Sequence, residues 1–131
     1  MAIQEKIGLK SEKSFKVGSK DLALSLASGD MEVLGTPALL ARMEEVCWTS
    51  VSPFLEEGST SVGTKVDFSH LKASPIGALI WVRTELIEVD GRRLVFKVEA
   101  YEAELSEETC IARGRLERFV VDKERFLSKI R

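Results

Sequence analysis

One histidine, two cysteines and no CxxC spacing are all that these 131 residues offer toward a usual zinc site, too little to build one. Cys47 and Cys110 stand far apart in the chain. That separation fits buried thiols in a reducing compartment better than a disulfide framework, and places the protein in the cytoplasm. Long hydrophobic runs are missing as well. The N-terminus, MAIQEKIGLKSEKS, alternates charge with single apolar residues and has no signal-peptide core, and the uncharged runs are far short of a membrane span. With a formal net charge of −2 and both signs spread along the chain, no basic stripe can neutralise a phosphate backbone, which argues against nucleic acid as a partner. There is no Gly-rich phosphate loop, nucleophile elbow, internal repeat or low-complexity segment. What is present, 44% hydrophobic and 31% charged residues, is the composition of a soluble chain with one core, so residues 1–131 are expected to form a single domain.

The stretch GTPALLARMEEVCWTSVSPFLEEG, from Gly35 to Gly58, reads as one long helix with marked ends. Thr36 is an N-cap residue type, Pro37 suits the first turn and Gly58 can close the far end. Pro53 removes a hydrogen bond, so a kink or restart is expected at Ser52. At about 100° per residue, Leu39, Leu40, Ala41, Met43, Val46, Cys47, Trp48, Val51 and Phe54 share one broad arc. Arg42, Glu45, Thr49 and Ser52 lie opposite. Glu44 falls inside the apolar arc, among Leu40, Ala41, Cys47 and Trp48, while its neighbour Glu45 faces the polar side.

Flanking segments are less regular. Residues 1–18 carry Ile7, Leu9, Phe15 and Val17 at loose two-residue spacing, which predicts one or two short strands, and 19–34 predict a helical turn, a loop and an extended lead. From Thr60 to about Val121 the period is two, a run of strands. In TSVGTKVDFSHLK one alternating face is Val62, Thr64, Val66, Phe68 and His70. Residues 78–89 and 92–103 predict a hairpin. A three-residue loop with left-handed Gly91 would pair Leu86 with Leu94, Thr84 with Phe96 and Val82 with Val98. The last strand, 109–121, puts Cys110, Ala112, Gly114, Leu116, Arg118 and Val120 on one face, with small residues where a helix could press closely. A short helix from about Lys123 ends the chain. One long helix against continuous antiparallel strands is an α+β layout in which the sheet curls around the helix.

Glu44 and His70 both point by periodicity into the space between helix and sheet. Each has a plain structural explanation: a solitary inward histidine can be a hydrogen-bonded core residue, and a helical glutamate can meet an arginine such as Arg118. Their coincidence adds a chemical one, because a carboxylate can fix an imidazole's tautomer and raise its basicity, as a general base requires. Thr36 is a third candidate, beside a helix N-terminus whose free N–H groups suit an oxyanion. As an N-cap its hydroxyl would be engaged by the backbone. Thr36 and Glu44, about 12 Å apart along an ideal helix, cannot touch each other directly.

The segments GTPALLARMEE, EEGSTSVGTKVDFSHLKASPIG, VDGRRLVFKVEAYE and GRLERFVVDKERF, from about residue 33 to the end, resemble the fluoroacetyl-CoA thioesterase-like family of hot-dog fold. The resemblance implies that Thr36, Glu44 and His70 are catalytic and that Gly63 and Arg118 bind substrate. Where the family often has Gly-x-His-x-Arg, this chain reads Gly114-Arg115-Leu116-Glu117-Arg118. The implied protein is a hot-dog dimer, or a tetramer of paired dimers, hydrolysing a small acyl-CoA without metal or cofactor, with His70 as general base supported by Glu44 and Thr36. The rivals are a non-catalytic acyl-CoA binding protein and an enoyl-thioester hydratase. Leu40, Met43 and Trp48 are expected to limit the pocket's depth, favouring acyl groups of about two to six carbons over palmitoyl, whose extra methylenes would each gain about 0.8 kcal/mol only in an apolar tunnel that could receive them.

Overall fold

The computed structural model describes residues 2–131. A 3-10 turn at Ala2–Lys6 leads into β1 (Lys10–Lys16), and a second turn at Ser19–Asp21 precedes an irregular segment. Then come α1 (Thr36–Val51), a 3-10 turn at Ser52–Phe54, β2 (Ser59–His70), β3 (Leu79–Asp90), β4 (Arg93–Glu102), β5 (Cys110–Asp122) and α2 (Lys123–Ser128). The five strands form one antiparallel sheet in the order β1-β3-β4-β5-β2, with α1 packed on one face. This is the expected α+β layout, a hot-dog-like fold. As Pro53 requires, the α-helix stops at Val51 and the chain restarts as a 3-10 turn at Ser52.

The helix buries Leu39, Met43, Val46, Cys47 and Val51 against the sheet, each contributing about 1.5–3 kcal/mol as an upper estimate. The other half of its apolar arc is less covered: Leu40 and Glu44 are half-buried, and Trp48 is 42% exposed. On β5 the alternation holds, with Cys110, Ala112, Leu116, Arg118 and Val120 all buried. Gly114 answers to a neighbouring strand and not to the helix, because a side chain there would strike Asp67 O and Phe68 of β2.

Two registers differ from expectation, each through a β-bulge. In the β3–β4 hairpin Asp90 pairs with Arg93 around a two-residue Gly91-Arg92 loop, with Gly91 left-handed at φ +61°. The irregularity falls between Leu86 and Glu88, giving Leu86–Phe96, Thr84–Val98 and Val82–Ala100 pairs, two residues away from the predicted ones. A shift of two preserves the facing of every side chain, so the predicted core set survives. In β2 the extra residue lies between Gly63 and Lys65, and a one-residue insertion reverses the alternation. Ser61 pairs with Val120 and Gly63 with Arg118 on the helix side, where Val62 and Thr64 were expected. Past the bulge Val66, Phe68 and His70 take over that face, opposite Leu116, Gly114 and Ala112.

Candidate active site

The first helical residue of α1 is Thr36, and Gly35 occupies the N-cap with no side-chain hydrogen bond. This corrects the reading of Thr36 as a cap: one position further in, its hydroxyl is released from the backbone. The chain ahead of it is held by Leu34 N to Ser74 O at 2.9 Å and Gly35 N to Asp21 O at 2.8 Å. Leu39 N makes the first bond back, to Gly35 O at 3.1 Å. With Pro37 lacking a donor, Thr36 and Ala38 carry the N–H groups that a helix N-terminus leaves for an anion.

His70, the last residue of β2, meets this helix start. Its Nδ1 lies 2.8 Å from Thr36 Oγ1, and its Nε2 is buried without a hydrogen-bond partner. Burial holds the imidazole below its ordinary value of 6.5, opposed in part by the Lys72 backbone, so the ring is neutral at pH 7. Because the folded state disfavours the charged ring, this contribution to folding is present above 6.5 and is lost as pH falls through the folded value. Thr36 and His70 line a cleft of about 220 Å³ together with Ala23, Val33, Leu34 and Leu71. Leu40, Met43 and Trp48, expected to bound it, do not: Met43 is in the core and Trp48 faces outward.

Glu44 lies elsewhere. Its Oε2 is 3.3 Å from Arg118 Nη1, and it makes no hydrogen bond to His70. Arg118 is 7% exposed; its Nε donates to Ser61 Oγ and its Nη2 to Ser61 O, both at 2.8 Å. Desolvation lowers the Arg118 pKa from its usual value, while Glu44 acts to hold the charge. Nε, Nη1 and Nη2 of the fork are thus all engaged within the protein. Beneath the carboxylate Gly63 leaves room that nothing larger could: a Cβ there would sit 2.6 Å from Glu44 Oε2. Cys47 lies in the same surroundings, and burial pushes its thiol up to about 12, so it remains protonated and non-nucleophilic. Ser61 was not found from sequence, because simple alternation turns it outward; the signal was Gly63, since an isolated glycine in a strand often marks a bulge.

Within one chain, then, the structure joins Thr36 to His70, and separately joins Glu44 to Arg118 and Gly63. Among the described residues no group of three His, Cys, Asp or Glu side chains is placed to hold a metal ion, and no helix is long and apolar enough to cross a membrane.

One long helix over a five-stranded antiparallel sheet places this molecule in the hot-dog fold class. The fold itself is matched by a hot-dog-like protein from Thermanaerovibrio acidaminovorans with a TM-score of 0.87, covering 99% of this chain and 95% of that one at 23% identity. The family description "Fluoroacetyl-CoA-specific thioesterase" matches residues 17–124. The fluoroacetyl-CoA thioesterase of Streptantibioticus cattleyicolor is 37% identical over 100 residues, which is 76% of this chain and 69% of that enzyme. A solved structure of the fluoroacetyl-CoA thioesterase FlK aligns with a TM-score of 0.87 and 30% identity over 95% of this chain and 93% of its own. The chain belongs to the fluoroacetyl-CoA thioesterase family, and it is a hydrolase of the acyl-CoA thioesterase type.

Proposed function

We propose that the protein hydrolyses a small acyl-CoA to a carboxylate and free CoA, and that Thr36 and His70 carry the chemistry. The observation behind this is the 2.8 Å contact between Thr36 Oγ1 and His70 Nδ1, with Nε2 buried. With Nε2 enclosed, Nδ1 is the nitrogen that works, and the hydroxyl is what it touches. Neutral His70 takes the Thr36 proton at Nδ1 as Oγ1 attacks the thioester carbonyl, and the Thr36 and Ala38 N–H groups receive the oxyanion. As the C–S bond breaks, the imidazolium returns its proton to the CoA thiolate. Water, deprotonated by the same nitrogen, then attacks the acyl carbon, the bond to Thr36 Oγ1 breaks, and the imidazolium returns its proton to Oγ1 as the acid leaves.

Glu44 enters this scheme from a second copy of the chain. Eight residues separate it from Thr36, about 12 Å along one helix, too far for both to serve one carbonyl. In a two-fold dimer the contact is reciprocal, so Glu44 of each copy can face the Thr36 and His70 of the other. Several features support a dimer. β2 is a 12-residue edge strand, and beside it Val66 and Trp48 are 48% and 42% exposed on the helix side. Gly63, beneath Glu44, allows close approach of the acyl group. Arg118, buried as it is, is reassigned from substrate to Glu44. The full span 1–131 works as one domain, in a cytoplasm whose reducing conditions suit two free buried cysteines.

The test is release of free thiol from a panel of acyl-CoAs from acetyl to palmitoyl by purified protein. Turnover highest among the short chains supports the reading. Binding without thiol release makes the protein a carrier, and with a 2-enoyl-CoA added to the panel, loss of enoyl absorbance without thiol makes it a hydratase.

A further inference from the structure

Two of the three side-chain hydrogen bonds of Arg118 go to one residue, Ser61. Ser61 accepts from Nε through its hydroxyl and from Nη2 through its carbonyl, both at 2.8 Å, and is itself 6% exposed. A guanidinium is planar and rigid, so two anchored nitrogens fix the plane and with it the direction of the third. That third nitrogen, Nη1, points at Glu44 Oε2 at 3.3 Å. Glu44 Oε1 accepts no hydrogen bond among the described residues, and the side chain is 35% exposed. The carboxylate is therefore gripped by one oxygen and presented by the other. Ser61 faces inward only because the bulge between Gly63 and Lys65 reverses the alternation of β2, and the same reversal brings Gly63 beneath the carboxylate.

We infer that Ser61 is a positioning residue: by clamping the Arg118 guanidinium it aims the free oxygen of Glu44 at the reacting thioester. This rests on the reading that Glu44 takes part in hydrolysis. The clamp touches no substrate, so it acts on the chemical step and leaves binding unchanged.

Threonine and valine at position 61 have the same shape and differ by the hydroxyl, which makes them the pair to compare. With the full-length protein and acetyl-CoA, Ser61→Val is expected to lower kcat by about 10- to 100-fold with KM within about twofold, as misplacement of a reacting group does. Ser61→Thr is expected to keep kcat within about threefold of the unmodified protein, because the acceptor is retained. Equal kcat in the two variants would overturn the inference, since only packing would then be at work. Should Ser61→Val fail to fold, Arg118→Lys replaces it: the charge remains and the fork is lost, and the same fall in kcat at unchanged KM is expected, with full kcat counting against the clamp. Glu44→Gln separates the two levels. If it is inactive while Ser61→Val is fully active, the clamp alone falls; if it is fully active, the role of Glu44 falls and the clamp with it.

Discussion

The two polar groupings of this protein are built in opposite ways. Thr36 and His70 meet through one hydrogen bond at the mouth of a cleft, with Thr36 exposed and His70 half-buried at the end of a strand. Glu44 and Arg118 meet beneath the middle of the helix, where Ser61 ties down the guanidinium with two further bonds and Gly63 clears the space beneath the carboxylate. Loosely held groups suit proton transfer, since a hydroxyl and an imidazole must change partners during a reaction. A charge held by a buried arginine suits a fixed field. On the proposed reading the two groupings are halves of one site: Thr36 and Glu44 lie on the same helix, too far apart to serve one carbonyl, and a second copy of the chain brings them together.

The largest effect belongs to the mobile half. His70→Ala is expected to lower kcat at least about 100-fold in a protein that keeps its fold and oligomeric state by circular dichroism and sedimentation, because no other group near the cleft can act as base at neutral pH. Thr36→Ala should fall nearly as far and Thr36→Ser should retain much of the rate. Equal rates for Thr36→Ala and the unmodified protein would shift the attack to water. In the fixed half Glu44→Gln is expected to lose about 10- to 100-fold. If it does not, the contrast reduces to one working pair and one structural ion pair. The pH profile should separate the halves again. The rate rises with pH as His70 loses its proton, with a midpoint below 6.5 set by burial, and is flat above it. A midpoint well above 6.5 would mean that a neighbouring carboxylate, such as Glu44 of a second copy, outweighs the desolvation of the ring.

How far the sequence alone could reach follows the same division. Thr36, Glu44 and His70 were legible because each breaks a local pattern: an N-cap residue type before a proline, a carboxylate on an apolar arc, a histidine closing an alternating strand. The restart at Ser52 and the core facing of β5 were legible for similar local reasons. What was hidden depends on contacts distant in sequence. The bulge in β2 turned Ser61 inward and made Arg118 an internal clamp, and the hairpin register slipped by two residues because the bulge chose Leu86 to Glu88 over the turn. Alternation carries no mark of either. The exposure of Trp48, expected as a wall of the pocket, was hidden because a wheel cannot say which part of an apolar face its own sheet covers.

Smaller effects sharpen the contrast. Gly63→Ala should disturb Glu44, since the added carbon would sit 2.6 Å from its carboxylate oxygen, and a fall in kcat with the fold intact is expected. Glu45→Gln, on the exposed side of the same helix, should be silent within about twofold. A critical Glu45 would mean that the helix phase is wrong.

Mixing two inactive variants tests the central claim most directly. Thr36→Ala and Glu44→Gln chains, co-expressed with different tags and purified as mixed dimers, would carry one doubly defective site and one intact site if each site draws Glu44 from one copy and Thr36 with His70 from the other. Thiol release from acetyl-CoA by that mixed dimer is then expected to recover to about half the rate of the unmodified dimer, as the two-fold symmetry dictates. A mixed dimer no more active than either parent would contradict the account, because every site would then have kept one of the two defects.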